Sequence, residues 1–311
     1  MKVSLIGGTG FVGSHLVPAL IAAGHVPRLL MRKPASGQGL PLERCEVVLG
    51  EVEDFAAVTA CLTGADAVIY LIGILREFPD RGISFEGLQS RGVERTLAAC
   101  QVAGVNRFLL MSANGVKLGG TAYQSTKYQA EEAVKASGLR WTIFRPSVIF
   151  GRPQGHMEFC TQLRRDIIDS PLPAPLFYSG LVPMGAGSFE LAPVAVEDVA
   201  QAFVRALAKP EAEGRCFELC GPEPISWREI LGTIAAAVGR SKMMLPAPAL
   251  GVKMAALLLD SFPWFPITRD QITMLLEGNV CQDASAYGLL GIEPKPFCVT
   301  SLDYLNESPS D

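Results

Sequence analysis

Two groups of residues in this 311-residue chain have types and spacings that can do chemistry. The first is Gly7-Gly8-Thr9-Gly10-Phe11-Val12-Gly13, a GxxGxxG pattern directly behind the apolar run Lys2–Ile6. In such a pattern the first glycine permits a tight turn, the second lets backbone approach a pyrophosphate, and the third lets a helix pack closely on the strand. The free N–H groups and dipole at the head of that helix favour an anion. A bare strand–turn–helix corner is the plain alternative. The apolar strand before the glycines and the amphipathic helix after them favour a dinucleotide loop, and the pattern therefore predicts pyrophosphate contacts from residues 7 to 13. The second group is Tyr123 and Lys127. Residues four apart share a helix face. A lysine cation beside a phenol stabilises the phenolate, and such a tyrosine can give or take a proton at a carbonyl or hydroxyl. Alone, this pair reads as a solvated helix face. Its place after the fifth strand of a dinucleotide-binding pattern gives it weight.

The end of the second strand separates the possible dinucleotides. NAD readers place a carboxylate there, about 20 residues past the glycines. Here the sequence is Met31-Arg32-Lys33. Arg32 and Lys33 suit a 2′-phosphate, because a guanidinium fork matches phosphate oxygens. NADP(H) is therefore the expected cofactor and NAD(H) the alternative, with two solvated loop cations as the bland reading. Glu51 and Val52, behind the third strand, are expected to flank the adenine. Leu71, Ile72 and Gly73 behind the fourth, and Met111 and Ser112 at the end of the fifth, are expected to line the cofactor.

These residues need elements to hold them. Strands are predicted at Lys2–Ile6, Val26–Met31, Cys45–Leu49, Ala67–Ile72, Arg107–Met111 and Trp141–Phe144. Helices are predicted at Phe11–Ala23, Phe55–Cys61, Phe85–Ala103 and Tyr123–Ser137. Alternation of this kind argues for an α/β fold with a doubly wound parallel sheet. The strands are apolar throughout, as strands covered on both faces are. The expected division is a dinucleotide-binding domain over 1–150 and a smaller, mixed but mainly helical portion over 151–311. A late strand near 215–220 is expected to join the first sheet. Ser226 and Glu229 form a capping box that opens a helix, and Asp198 is read as stabilising a helix N-terminus. Ligands of open α/β sheets sit at the carboxyl edge of the strands.

Composition narrows the function classes. The chain is 49% hydrophobic, with 27 basic and 31 acidic residues and a net charge of -4. No basic stripe appears, which argues against nucleic acid. No apolar run reaches the roughly 18 residues of a membrane span, and six residues before the first glycine are too few for a signal peptide, so a cytoplasmic location is expected. The eight cysteines lack metal spacing and read as reduced thiols. His15, His25 and His156 are scattered, and no metal is expected. The apolar stretch from Val252 to Leu259 and the aromatic Phe262-Pro-Trp-Phe-Pro266 are read as C-terminal core, with a partner or membrane-surface patch as the alternative.

With these motifs assembled, the chain resembles the short-chain dehydrogenase/reductase superfamily, in its extended and atypical branches that include NAD-dependent epimerases/dehydratases. The resemblance covers almost the whole chain. It rests on the glycine loop, on Tyr123-x-x-x-Lys127, on Arg145-Pro-Ser-Val-Ile-Phe-Gly151, on Pro193-Val-Ala-Val-Glu-Asp-Val199 and on Gly221-Pro-Glu. Within that group it is most similar to the nicotinamide-binding accessory subunit of respiratory complex I and its free-standing bacterial relatives. Gly73-Ile-Leu-Arg-Glu77, Ser112-Ala-Asn-Gly115, Pro266-Ile-Thr-Arg-Asp-Gln-Ile272 and Asn279-Val280 carry that likeness. The resemblance implies a Rossmann fold, a ribose contact from Lys127, and passage of Pro146 and Val148 beside the nicotinamide.

One departure matters. Active epimerases hold the reacting oxygen with a serine or threonine shortly after strand five. Alignment by strand end puts Ala113 at that place and Ser112 one residue early, which turns the side chain another way. The catalytic candidates are thus Tyr123, Lys127 and Ser112. The expected activity is an NADP(H)-binding oxidoreductase acting on an unidentified small carbonyl, sugar-nucleotide or quinone-like substrate. The alternative is a non-catalytic NADP(H)-binding accessory, assembly or redox-sensing protein, for which association with a complex or a membrane surface is open.

Overall fold

The apolar runs of the first half form parallel strands because each has two faces to bury. They are β1 (Lys2–Ile6), β2 (Val26–Met31), β3 (Glu46–Leu49), β4 (Ala67–Tyr70), β5 (Arg107–Met111) and β6 (Arg140–Pro146), joined by the late strand β7 (Arg215–Leu219). All neighbours pair in parallel, in the order β7-β6-β5-β4-β1-β2-β3. The registers set Ile6 of β1 beside Leu30 of β2 and Tyr70 of β4. Every residue of β4 is buried, whereas the edge strand β3 has no buried residue.

Among the described residues six helices flank this sheet: α1 (Phe11–Ala22), α2 (Phe55–Leu62), α3 (Arg91–Ala103), α4 (Ala122–Ala136), α5 (Val196–Leu207) and α6 (Ser285–Leu290). Successive strand side chains point to opposite faces. Ile6, Leu30, Val68, Tyr70, Phe108, Leu110 and Ile143 therefore share one core with Val58 of α2, Val93 and Leu97 of α3 and Val134 of α4. The opposite face meets α5, where Phe144 packs on Phe203 at 4.8 Å between ring centres. Helices α1 and α5 pack together. A buried aromatic of this kind contributes about 1.5–3 kcal/mol. Arg107 is 2% exposed and donates to the carbonyls of Arg140 and Ala206 and to Thr142 Oγ1, tying β5, β6 and α5.

A computed structural model describes residues 1–37, 39–180, 182–251, 254 and 268–307 of the chain. It separates into two compact units, the first being Met1–Pro146, Val196–Leu219 and Gln282–Glu293. The late strand takes its place at the sheet edge, and α5 and the stretch carrying α6 belong to the same unit. The long helix expected from Phe85 is interrupted: a wide π turn over Glu86–Ser90 precedes α3. Tyr70 Oη donates to the Leu88 carbonyl in that turn.

The second unit is Ser147–Ala195, Cys220–Cys281 and Pro294–Asp311. Among the described residues, three small two-stranded ladders and the helices Trp227–Ala237 and Arg269–Glu277 surround a core of Phe150, Trp227, Ile230, Ile234, Leu302 and Tyr304. The Ser226–Glu229 capping box is formed. The expectation that all cysteines are reduced thiols is corrected: Cys220 and Cys281 form a disulfide across 61 residues. Backbone pairing explains it. Asn279 N donates to Glu190 O, Ala192 N donates to Asn279 O, and Gly221 N donates to Ala192 O, so one short segment holds both cysteine-bearing stretches. The segments read as C-terminal core, Val252 to Leu259 and Phe262–Pro266, lie outside the described residues save Met254, as do Pro266 and Ile267 of the complex I-like stretch.

Candidate functional site at the carboxyl edge of the sheet

Because the strands of the first unit are parallel, the loops behind β1 to β6 all leave at one edge. That edge gathers residues 7–13, Arg32 and Lys33, Glu51 and Val52, Leu71 to Gly73, Met111 and Ser112, and Pro146. Val148 falls in the second unit, where its carbonyl accepts from Val194 N and its side chain packs on that unit's core.

At Gly7, Gly8 and Gly13 the glycine loop has no room for a side chain. Gly7 sits at φ +88°, a left-handed conformation, and a Cβ there would lie 2.9 Å from Ile72 Cγ1 and 3.0 Å from Ile72 N. The loops behind β1 and β4, the two strands at which the chain order reverses, thus touch. That is where open α/β sheets bind ligands. A Cβ on Gly10 would meet only Gly7 O, at 3.5 Å, so the approach to its backbone stays open. Gly10 caps α1 without a side-chain hydrogen bond, and no acidic residue stands in the first turn. The donors at this helix end and its dipole fit an anionic pyrophosphate.

Around this cradle the strand ends supply the remaining contacts. Arg32 and Lys33 are exposed just past β2, and Arg32 makes no hydrogen bond or ion pair among the described residues. Glu51 is exposed. Val52 is buried, and its carbonyl accepts from Arg95, which secures the loop behind β3.

Helix α4 brings the catalytic candidates. Its start is set by a capping box between Thr121 and Gln124, and Gln124 Nε2 also donates to Gly115 O. Lys127 is 2% exposed, and its Nζ donates to the carbonyls of Ile72 at 3.2 Å and Met111 at 2.9 Å, joining the loops behind β4 and β5. Gly73 leaves room for it, since a Cβ there would lie 3.3 Å from Nζ. Burial pulls the Lys127 ammonium down to about 8, against the opposing pull of the Glu131 charge. Tyr123 is half-buried, with Phe85 edge-on at 5.8 Å. Burial pushes its phenol up to about 12, so the lowering expected from a neighbouring lysine is not found. The amine is held instead by the two carbonyls. Ser112 is buried and donates through Oγ to Glu131 Oε1 at 2.5 Å. Pro146 O accepts from Asn114 N, which aligns the chain behind β5 along β6.

Sequence reasoning missed Glu131, Arg145 and Phe85. Glu131 is fully buried and accepts from Arg145 Nε at 2.8 Å and Nη2 at 2.5 Å. A signal existed: Tyr123, Lys127 and Glu131 follow one another at intervals of four, a single helix face.

Fold and site together define a protein that binds a nicotinamide dinucleotide. The family model described as NAD(P)H-binding matches residues 7–165, and the chain belongs to that family. It is 27% identical over 269 residues to the ceramide reductase of Caulobacter vibrioides, covering 86% of this chain and 79% of that protein. It is 23% identical over 315 residues to the 40 kDa subunit of NADH-ubiquinone oxidoreductase of Neurospora crassa, covering 99% and 80%. Its fold matches that of the Thermus thermophilus UDP-glucose 4-epimerase solved with NAD, with a TM-score of 0.74 at 21% identity over 98% of both chains. These findings bear out the resemblance to atypical short-chain dehydrogenase/reductases with a Rossmann sheet. Among the described residues no helix is long and apolar enough to cross a membrane.

Proposed function

We infer that this chain is an NADP(H)-dependent reductase whose substrate presents a carbonyl, of the small-carbonyl, sugar-nucleotide or quinone class. The observation that carries this reading is Lys127. A buried cation held between the loops behind β4 and β5 stands one helix turn from a tyrosine, at the edge where the glycine cradle opens. In this reading residues 7–13 hold the pyrophosphate, Arg32 and Lys33 hold the 2′-phosphate, and Glu51 and Val52 flank the adenine. Leu71 to Gly73, Met111 and Pro146 line the nucleotide, and Lys127 bonds the nicotinamide ribose. When bound, a reduced nicotinamide supplies a hydride to the carbonyl carbon. Tyr123 Oη gives its proton to the carbonyl oxygen. A phenol is protonated at neutral pH, which suits a proton donor. A reductase relative, that of Caulobacter vibrioides, supports the reducing direction.

A second reading is a non-catalytic nucleotide-binding accessory protein in a complex. It is favoured by Ser112, whose hydroxyl is occupied by Glu131 and so is not presented to a substrate. The respiratory-chain relative supports it.

Tyr123→Phe separates them. Under the first reading, carbonyl-dependent oxidation of NADPH falls by about 100-fold or more while NADPH affinity by calorimetry persists. If a carbonyl substrate is turned over equally by the variant, the role of Tyr123 is lost. If no carbonyl compound, sugar nucleotide or quinone is turned over by either protein, the second reading stands.

A further inference from the structure

The first unit buries two carboxylates: Asp198, in the first turn of α5, and Glu131, beside the proposed machinery. Glu131 is fully buried on α4, one turn past Lys127. A lone carboxylate there would cost several kcal/mol, so its partners must account for it. From β6, Arg145 grips it through two hydrogen bonds, at 2.8 and 2.5 Å. From the end of β5, Ser112 Oγ donates to it at 2.5 Å. From α4 itself, Lys135 Nζ lies 3.7 Å away at the partly exposed end. From β7, Cys216 feels its charge but stays a neutral thiol, since burial pushes it up to about 11, and the Glu218 charge also acts on Arg145. Tyr123, on the far side of Lys127, is neutral as well.

Lys127 lies at the opposite end of this arrangement. Its two hydrogen-bond partners are neutral carbonyls, which do not offset the cost of burying a cation. The opposing charge that raises it comes from Glu131. Arg145 and Ser112 fix the carboxylate, and the helix fixes its spacing from the amine.

We propose that Glu131 is a positioning residue for Lys127: its clamped carboxylate keeps the buried amine cationic, and it draws the Ser112 hydroxyl into its own support. This rests on the reading that Lys127 holds the nucleotide. A cationic Lys127 donates three hydrogen bonds. Two go to Ile72 and Met111, which leaves one for a ribose hydroxyl. A neutral amine has only two donors, which the carbonyls occupy, so the charge-assisted bond to the ribose is lost and only a weaker one, accepted by the amine lone pair, remains. Glu131 thereby determines the pH range in which the nucleotide is gripped, without touching it.

The test uses the full-length protein with lysines labelled for NMR at Cε, Lys127 being assigned through Lys127→Arg. The wild-type Lys127 signal is expected to titrate near 8. Glu131→Gln keeps size and polarity, and should move the midpoint down by about one pH unit, a tenfold change in protonation. Glu131→Asp restores the charge and should recover most of that shift. NADPH calorimetry on the same proteins should show equal affinity of Glu131→Gln and wild type at pH 6, and a severalfold deficit of the variant by pH 8. Coincident lysine titrations in wild type and Glu131→Gln overturn the proposal. A shifted titration with unchanged NADPH affinity instead overturns the assignment of Lys127 to the nucleotide, and leaves the charge coupling standing. Where Glu131→Gln does not fold, Glu131→Asp carries the test: retracting the charge by one methylene lowers the midpoint by a smaller step, and no step overturns the proposal.

Discussion

Gly13 packs so closely on Gly8 that a Cβ at position 13 would lie 2.2 Å from the Gly8 carbonyl oxygen and 2.4 Å from its carbonyl carbon. Both are backbone atoms that cannot swing away. Gly13→Ala must therefore lift α1 off the loop, at a cost of about 1–3 kcal/mol. Gly10→Ala is the contrast, because its Cβ would meet only Gly7 O at 3.5 Å. Thermal unfolding should show Gly13→Ala destabilised and Gly10→Ala close to wild type. Calorimetry should show that both lose dinucleotide affinity, the second because a methyl group stands in the approach to the pyrophosphate.

Arg32 is exposed, and no residue of the described chain binds its guanidinium. A 2′-phosphate held there gains charge-assisted hydrogen bonds worth about 1.5–3 kcal/mol. Arg32→Ala should weaken NADPH at least roughly tenfold and leave NADH nearly unchanged. Equal loss for both nucleotides, or a wild-type preference for NADH, removes the role given to Arg32.

The pH dependence of stability has a sign that Lys127 determines. Its folded-state value of about 8 lies below the ordinary 10.5. Between these values the unfolded chain holds a proton that the folded chain has released, so stability from this group rises with pH across that window. Below pH 8 both states are protonated and the fold bears the cost of the buried cation. Lys127→Met removes the group. Denaturant titrations from pH 8 to 10.5 should show wild type gaining about 3 kcal/mol relative to the variant. At pH 7 the variant should fold and lose NADPH affinity. A constant difference across the window would mean that the lysine is not held below its ordinary value.

The Cys220–Cys281 disulfide closes a segment of 61 residues in the second unit. Removing such a crosslink costs about 2–5 kcal/mol. Cys220→Ser/Cys281→Ser should unfold at lower temperature than wild type. A thiol reductant should lower the wild type to the same temperature and leave the double variant unmoved. A wild type indifferent to reductant would show that the pairing of Glu190, Ala192, Gly221 and Asn279 suffices by itself.

Much of the fold is legible locally. Apolar stretches such as Ala67-Val-Ile-Tyr read as doubly covered strands, and β4 is buried along its length. The Ser226–Glu229 capping box is likewise a matter of adjacent side chains and backbone. The π turn at Glu86–Ser90 is different. It stands with a contact from elsewhere in the chain: Tyr70, 18 residues away, donates its hydroxyl to the Leu88 carbonyl within the turn.

What the sequence by itself determined is whatever short-range stereochemistry encodes: the glycine turn at 7–13, the parallel strands, the tyrosine and lysine on one helix face, and the cations behind β2. Only the tertiary structure decided that Ser112 meets Glu131 across 19 residues, that Arg145 clamps the same carboxylate, that Cys220 finds Cys281, and that Val148 belongs to the second unit. The physical reason is that spacing along one element specifies which residues share its face. Charge partners and crosslinks depend instead on which strands end side by side, and that is settled by burial of the whole sheet.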